Sequence, residues 1–367
     1  MRLRRDLRSI ARLCEGDGRQ AESRSRQTIE DGGPSAAVRV RRQAIAEAGQ
    51  FFVGFAAERG ALSWIEGRRR QGADFQWRAI ITHGGPVRGF SPIMPSFKDL
   101  LTADQINKVI GYLRGLCTET AWPRGNLNLP RPMVTDKAFP ESETVVTASI
   151  NAEGSAGVSS AAIYERRIGA TAMMEVVIPY EFTRVERDHW GASFGDLALG
   201  YKQKLFHSLA TGSIISAGGE LIAPTGNTAL GTGGESTVFE VFGAYGQLLP
   251  ASSFLQVHTG IELPAHTDRV ARAYYLRTAI GKTFATLGGL GRRWTPMVEF
   301  LGDRELVSGA TTNWDIVPQM QIPMNTRMHI LGSLGFKFPA NHTEGRPKQV
   351  MFYVLWDWMD GGLLQGW

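Results

Sequence analysis

Cysteine is scarce in this chain: its 367 residues contain only Cys14 and Cys117. Two thiols so far apart give no disulfide framework, and neither begins the Cys-x-x-Cys-His motif that attaches haem covalently. No run of about eighteen apolar residues occurs, which excludes a membrane-spanning helix. The first residues have the positive charge of an export signal without the apolar stretch that follows one. We therefore expect no export signal in the chain as written.

Lysine is absent from residues 1–78, which contain sixteen arginines, whereas residues 79–367 contain sixteen arginines and eight lysines. Arginine-rich, lysine-free sequence without sustained periodicity is typical of a G+C-rich gene read out of frame. We therefore expect the segment 1–78 to be out of frame or disordered. The alternative is a genuine basic arm for nucleic acid or acidic lipid. We favour the first interpretation and predict no nucleic-acid partner.

Motifs for enzyme chemistry are also missing. Residues 231–234 and 288–291 are glycine-rich, but both lie between predicted strands and lack the following helix that a phosphate site requires. The histidines from His189 onward are scattered, without the spacing of a zinc site. We predict that the protein is not an enzyme.

One helix is clear before the middle of the chain. Thr102 followed by Gln105 forms a capping box, and apolar residues then recur at helical spacing for about three to four turns. These apolar residues are Ile106, Val109, Ile110, Leu113 and Leu116. Before this helix, Met94 lies between Pro92 and Pro95, which restrict the backbone around its thioether. A rigid loop that presents one methionine suits a metal ligand.

The order Met-Pro-x-Phe, Leu-Thr-x-x-x-Ile and a helix ending in Tyr-Leu-Arg resembles the last third of a c-type cytochrome domain. The resemblance covers residues 79–117 and implies a small, truncated all-α segment with haem c as its cofactor. It implies Met94 as the axial metal ligand, with four residues packing near the haem: Ile93, Phe97, Ile110 and Leu113. His83 lies too close in sequence to be the usual proximal ligand. The implied function is electron transfer with a periplasmic redox partner.

Residues 118–140 contain four prolines and are predicted to be an extended linker. From residue 141 to residue 367 the sequence is mainly β, with about twelve segments of alternating polarity between turns. A soluble sandwich would use shorter strands, so the segment lengths favour an antiparallel, about 12-stranded outer-membrane-type β-barrel. Six aromatic residues near strand ends are candidates for interfacial girdles: Tyr180, Phe182, Trp294, Trp314, Trp356 and Trp358.

The segment 195–202, Gly-Asp-Leu-Ala-Leu-Gly-Tyr-Lys, and the segment 221–226, Leu-Ile-Ala-Pro-Thr-Gly, resemble the outer-membrane barrels of the putative MetA-pathway phenol-degradation family. That resemblance implies an outer-membrane location, with membrane lipid as the partner and a periplasmic N-terminal domain. Two hypotheses follow. The first is a cytochrome-like electron-transfer module attached to a barrel; the alternative is a non-haem barrel for transport or a structural role.

Overall fold

The computed structural model describes residues 74–89, 94–115, 121–153, 156–186, 189–285 and 293–358. The prediction for the arginine-rich segment falls almost wholly on residues 1–73, which lie outside the described residues. The chain divides into two compact units, with unit 1 ending at Trp122 and unit 2 beginning at Pro123.

The described part of unit 1 contains two short α-helices, α1 (Asp74–His83) and α2 (Ala103–Gly115). The backbone N–H of Thr102 donates to Oε1 of Gln105 over 2.9 Å, and the N–H of Gln105 donates to Oγ1 of Thr102 over 3.3 Å. These reciprocal bonds confirm the capping box at the start of α2. No helix in the described part of the chain is long and apolar enough to cross a membrane.

Unit 2 is built from fourteen described strands in one antiparallel sheet. The strands are β1 (Glu143–Asn151), β2 (Gly157–Ile168), β3 (Ala172–Glu186), β4 (His189–Phe194), β5 (Leu197–Ser208), β6 (Ser213–Ala223), β7 (Val238–Leu249), β8 (Ser253–Pro264), β9 (Ala273–Lys282), β10 (Phe284–Ala285), β11 (Arg293–Glu305), β12 (Asn313–Pro323), β13 (Ile330–Pro339) and β14 (Gln349–Asp357). Twelve of them form a closed ring, because the pairing of β9 with β11 joins the two ends of the strand order. The short strands β4 and β10 extend the wall beside β3 and β11. The predicted mainly β fold with about twelve antiparallel strands is confirmed.

Polarity alternates along the strands, as the sequence predicts. In β5, Leu199 and Tyr201 are exposed on the outer surface, whereas Lys202 and Lys204 are buried on the inner surface. Successive side chains of a strand point to opposite faces, so one strand supplies both surfaces. The barrel therefore has an apolar outer surface and a polar lumen.

The two ends of the barrel differ. We call the end at which β1 begins the proximal end and the opposite end the distal end. Proximal connections such as residues 169–171, 209–212 and 250–252 are short, whereas distal connections such as residues 224–237 and 265–272 are longer. Outer-membrane barrels have this asymmetry, with short periplasmic turns and longer extracellular loops.

The predicted aromatic girdles are present in part. Phe182 and Trp314 are exposed near the distal end, and Trp294 is exposed near the proximal end. Trp358 differs from the prediction: it is buried just after β14, and its ring lies 5.0 Å from that of Tyr164. Packing against a neighbouring aromatic ring removes Trp358 from the exposed surface that a girdle residue needs.

Candidate functional site in the barrel lumen

The segment that precedes β1 lies inside the barrel. We call residues 123–142 the inner segment. Four prolines, Pro123, Pro130, Pro132 and Pro140, lack a backbone N–H and keep this segment out of the sheet. Its remaining backbone groups must find other partners, because buried N–H and C=O groups are costly when unpaired. Some of those partners lie within the segment, and many others are lumen-facing side chains of the wall. Residues 118–140 are predicted from the sequence to be an extended linker, and that prediction does not include these contacts.

Glu299 on β11 holds the middle of the inner segment. Its fully buried carboxylate accepts from the backbone N–H groups of Met133 (2.8 Å), Val134 (3.2 Å) and Thr135 (2.6 Å). The hydroxyl of Thr135 and Nε2 of Gln319 also donate to it. Ionised carboxylates form stronger hydrogen bonds than neutral acceptors, so Glu299 is a firm anchor for three successive residues.

Arg131 joins the inner segment to two neighbouring strands. Its Nη1 lies 2.6 Å from Oε1 of Glu143 on β1 and 2.6 Å from Oε1 of Glu165 on β2. Its backbone carbonyl accepts from the hydroxyl of Tyr353 over 2.6 Å and from Nε2 of Gln321 over 3.4 Å. Arg131 is thus attached on one side by charge and on the other by hydrogen bonds.

A second set of charges fixes the following residues. Nζ of Lys202 on β5 donates to Oδ2 of Asp136 over 2.8 Å and to the carbonyl of Lys137 over 2.7 Å. Lys137 forms an ion pair with Glu141 within the inner segment. Burial raises the pKa of Asp136, but its interactions with Lys202, His258 and Arg131 together outweigh burial and lower that pKa below its ordinary value. The carboxylate of Asp136 is therefore ionised at neutral pH.

Hydrogen bonds connect the inner segment to the distal half of the lumen. The N–H of Asp136 donates to Nδ1 of His258 over 3.5 Å, and Nε2 of His258 lies 3.0 Å from the hydroxyl of Tyr275. That hydroxyl donates its proton to Oε1 of Glu240 over 2.5 Å. Because the Tyr275 proton is used on Glu240, Nε2 of His258 is the donor to Tyr275 and Nδ1 is the acceptor. This arrangement fits a neutral His258.

Apolar contacts complete the fit between the inner segment and the wall. Leu129 packs with Phe254 and Met297, and a Cβ atom added at Gly246 would lie only 3.2 Å from Cδ1 of Leu129. Gly246 therefore leaves space for this leucine. Nε2 of Gln256 donates to the carbonyl of Pro130 over 2.8 Å. The inner segment occupies the proximal part of the lumen as a packed body.

A row of glutamates runs along the inner wall. Residues at matching positions on seven neighbouring strands form it, and we call it the glutamate row. From the proximal to the distal end it consists of Glu143, Glu165, Glu175, Gly200, Glu220, Glu240 and Glu262. Strands of a barrel are tilted, so a row that follows the strand register climbs around the lumen. Facing residues on neighbouring strands lie about 5 Å apart, which makes the row nearly continuous.

Gly200 is the one position of the row without a carboxylate. A Cβ atom added there would lie 3.4 Å from Oε1 of Glu175, so the side chain of Glu175 covers this gap. At the proximal end, Glu141 of the inner segment joins Glu143 and Glu165, and their ligand oxygens lie within 4.8 Å of one another. Arg131 and Lys137 supply the positive charge at that cluster.

The predicted haem-contacting residues lie in unit 1. Met94 is 6% exposed and belongs to an apolar cluster, against which Phe97 packs. The other buried members of that cluster are Trp77, Ile80, Ile81, Ile106, Val109 and Ile110. Ile93 and the side chain of Leu113 lie outside the described residues. The structure thus brings Met94, Phe97 and Ile110 together as packing partners.

The residues of the chain do not fit a c-type haem. The sequence has no Cys-x-x-Cys-His motif, so it offers neither the two thiols nor the paired histidine for covalent attachment. Met94 is surrounded by apolar side chains and contributes a single soft donor. Its role as a metal ligand, and haem c as a cofactor, stay predictions.

Sequence reasoning missed Arg131, Glu299 and the glutamate row. The glutamates lie at lumen-facing positions of their strands. The alternation of polar and apolar residues along each strand predicts this orientation. Their alignment into one row required the register between strands, which alternation alone does not give.

A closed antiparallel ring with an apolar outer surface and a charged lumen defines a β-barrel of the membrane-spanning type. Solved structures similar to this chain include the COG4313 outer membrane channel from Pseudomonas putida F1, at 13% identity and a TM-score of 0.45, covering 62% of this chain and 99% of that chain. A KdgM porin in complex with disordered oligogalacturonate matches at 8% identity and a TM-score of 0.40, covering 59% and 98%. The NanC porin matches at 6% identity and a TM-score of 0.41, covering 58% and 98%.

No family model and no curated protein matches this chain. The fold assignment therefore rests on the strand pairing of the chain itself. The resemblances to c-type cytochromes and to the phenol-degradation barrels stay predictions.

Proposed function

We propose that the protein forms an outer-membrane channel for small polar solutes, whose lumen opens when the inner segment moves off the barrel wall. The observation that carries this proposal is the pairing of an apolar outer surface with a polar, charged lumen in a closed ring. Only such a ring satisfies every backbone group of a β-structure in lipid. A polar, charged interior is what a water-filled path for polar solutes requires.

The inner segment restricts passage through the channel, because it occupies the proximal part of the lumen. Beside the apolar contacts of Leu129, its anchors are polar contacts to the wall, which water or a solute can replace when the segment moves. A closed state and a more open state therefore differ by the contacts of Glu299, Arg131 and Lys202. The membrane location follows from the outer surface, where Phe182, Trp314 and other apolar side chains are exposed.

We do not extend the proposal to electron transfer. That hypothesis needs a haem, and the chain lacks the motif to attach one. The packed apolar environment of Met94 supports a structural role in unit 1 equally well.

The test is ion conductance through planar lipid bilayers that contain the purified full chain. The wild-type channel is expected to be closed for most of the time, with brief openings. Glu299→Gln replaces one acceptor oxygen with an amide that faces the N–H groups of residues 133–135. Loss of one hydrogen bond to a charged group, about 1.5–3 kcal/mol, should raise the open fraction at least about tenfold.

The matched control is Asp315→Asn. Asp315 also faces the lumen, but it pairs with Arg346 over 2.5 Å near the distal end and does not contact the inner segment. This variant should keep the wild-type open fraction. If neither the wild type nor Glu299→Gln conducts ions while both retain the β-sheet signal in circular dichroism, the channel proposal is wrong.

A further inference from the structure

Two cationic side chains of the inner segment, those of Arg131 and Lys137, bind to the proximal end of the glutamate row. The guanidinium of Arg131 lies 2.6 Å from a carboxylate oxygen of Glu143 and 2.6 Å from one of Glu165. The ammonium of Lys137 lies 3.7 Å from the second oxygen of Glu143. The proximal end of the row therefore binds one guanidinium and one ammonium group, both of which lie inside the lumen.

The distal part of the row has no such occupant. Among the described residues, no cationic side chain forms a salt bridge with Glu220, Glu240 or Glu262. Arg277 on β9 attracts Glu220 and Glu262 electrostatically, but its guanidinium lies 4.0 Å from the ring centroid of Tyr275 and forms no salt bridge with either carboxylate. All three glutamates are half-buried, and they face the lumen on adjacent strands.

This arrangement is unfavourable for the fold alone. Like charges directly opposite each other on neighbouring strands destabilise a sheet. A low-dielectric wall around a line of one charge sign also concentrates counter-ions in front of it. The distal glutamates therefore offer to a mobile cation what the proximal glutamates offer to Arg131.

We propose that the glutamate row is the path of organic cations, meaning solutes that carry ammonium or guanidinium groups, and that Arg131 is the resident occupant of their innermost binding position. This inference rests on the channel function proposed above and names its solute class. A solute that reaches Glu165 competes with Arg131 for the same oxygens. Each contact that it replaces weakens the hold on the inner segment, so solute arrival and opening are coupled.

Hydrogen-bond geometry distinguishes organic cations from inorganic ones. A guanidinium carries five N–H donors in a planar fork and can join carboxylates of two strands, as Arg131 does. A potassium ion shares the charge but not this directional bonding. Both are attracted to the row, yet only the organic cation replaces the contacts of Arg131.

The first experiment measures charge selectivity. The reversal potential of the wild-type channel in a KCl gradient should show preference for potassium over chloride. The triple substitution Glu220→Gln, Glu240→Gln and Glu262→Gln keeps the size of the side chains and should lower this preference by about tenfold. The control Asp315→Asn removes a lumen-facing carboxylate outside the row and should keep the wild-type preference.

The second experiment measures coupling. Agmatine, which carries a guanidinium and an ammonium group, should raise the open fraction of the wild-type channel, whereas the neutral analogue butylurea should not. In the triple variant, the agmatine concentration that gives the half-maximal effect should rise by about tenfold.

The outcomes separate the two proposals. If no form of the protein conducts, the channel function fails. If the channel conducts but shows no cation preference, or if agmatine and butylurea act alike, the channel stands and the inference about the glutamate row is overturned.

Discussion

Arg131 places one positive charge between two glutamates of neighbouring strands. The charge of each of these buried groups is compensated by the others. Taking these groups out of water costs several kcal/mol per ion, and their mutual attraction offsets that cost only while all of them are present. The backbone carbonyl of Arg131 also accepts a hydrogen bond from the hydroxyl of Tyr353 in the barrel wall. Loss of this one guanidinium would therefore leave two buried carboxylates facing each other.

Arg131→Met is accordingly expected to lower the free energy of unfolding by about 3–5 kcal/mol, measured by urea titration in lipid vesicles. Arg131→Lys, which keeps one charge but loses the fork, should cost less. Adding Glu165→Gln to Arg131→Met removes one of the two stranded charges and should recover part of the loss. A loss below about 1 kcal/mol for Arg131→Met would show that other cations neutralise the pair.

Tyr275 is a second residue whose hydroxyl serves two neighbours. Tyr275→Phe leaves Nε2 of His258 and the carboxylate of Glu240 without their shared partner. Because both groups lie within the lumen wall, we expect a loss of about 1–3 kcal/mol in the free energy of unfolding. Tyr274→Phe is the matched control, since Tyr274 is exposed on the outer surface and Thr259, which donates to its hydroxyl, keeps the carbonyl of Tyr275 as an acceptor. This variant should change stability by less than about 0.5 kcal/mol.

At the scale of the strands, the outer surface depends on depth in the membrane. Leu334, in the middle of β13, is 50% exposed, and Phe338, near the distal end of the same strand, is 41% exposed. Leu334→Arg should cost about 2–4 kcal/mol in bilayers, whereas Phe338→Arg should cost about 0–1 kcal/mol. The unfolding free energy of both variants in the same vesicles is the measurement. Equal costs would show that the apolar outer surface does not lie in lipid.

The strands were predictable from sequence because each carries its own signal. Alternation in β5 places Lys202 and Lys204 on one face and Leu199 on the other, whatever the neighbouring strands do. The helix α2 was predictable for the same reason, because its capping box and the spacing of its apolar residues lie within one short stretch of sequence. The position of the inner segment was not predictable in this way. Its prolines correctly exclude a strand, but they do not show what surrounds it.

The contacts of the inner segment depend on residues far away in sequence. Glu299 binds N–H groups of residues 133–135, and Gln256 binds the carbonyl of Pro130. No periodicity connects such positions, since the meeting point is set by the closure of the ring and by the register of its strands. The lumen site is thus a property of the assembled barrel, although each of its side chains has a predictable orientation.

At the scale of the whole molecule, the inner segment braces the ring from within. It contacts β1 and β2 through Arg131, β5 through Asp136 and β11 through residues 133–135. These strands lie on different sides of the closed order, so the segment links opposite parts of the wall. It also continues directly into β1 at Glu143. Opening therefore requires residues 123–140 to shift while the junction with β1 stays in place.

A reversible covalent lock tests this geometry. The hydroxyl of Ser216 on β6 donates to the carbonyl of Ala138 in the inner segment, so the two residues are in direct contact at the inner face of the wall. Ala138→Cys combined with Ser216→Cys, in a chain whose Cys14 and Cys117 are replaced by serine, should form a disulfide under oxidation. The bond fixes the inner segment to the wall, so we expect single-channel openings to disappear.

Reduction should restore the openings, because the fold and the lumen charges are unchanged by the lock. The single variants, which cannot form the bond, are the controls and should conduct under both conditions. If the oxidised double variant opens as often as the reduced one, with the disulfide verified by mass spectrometry, then the solute path does not depend on the inner segment. Ions would then pass through the lumen beside a fixed inner segment. Loss of the contacts of Arg131 would change stability without changing conductance.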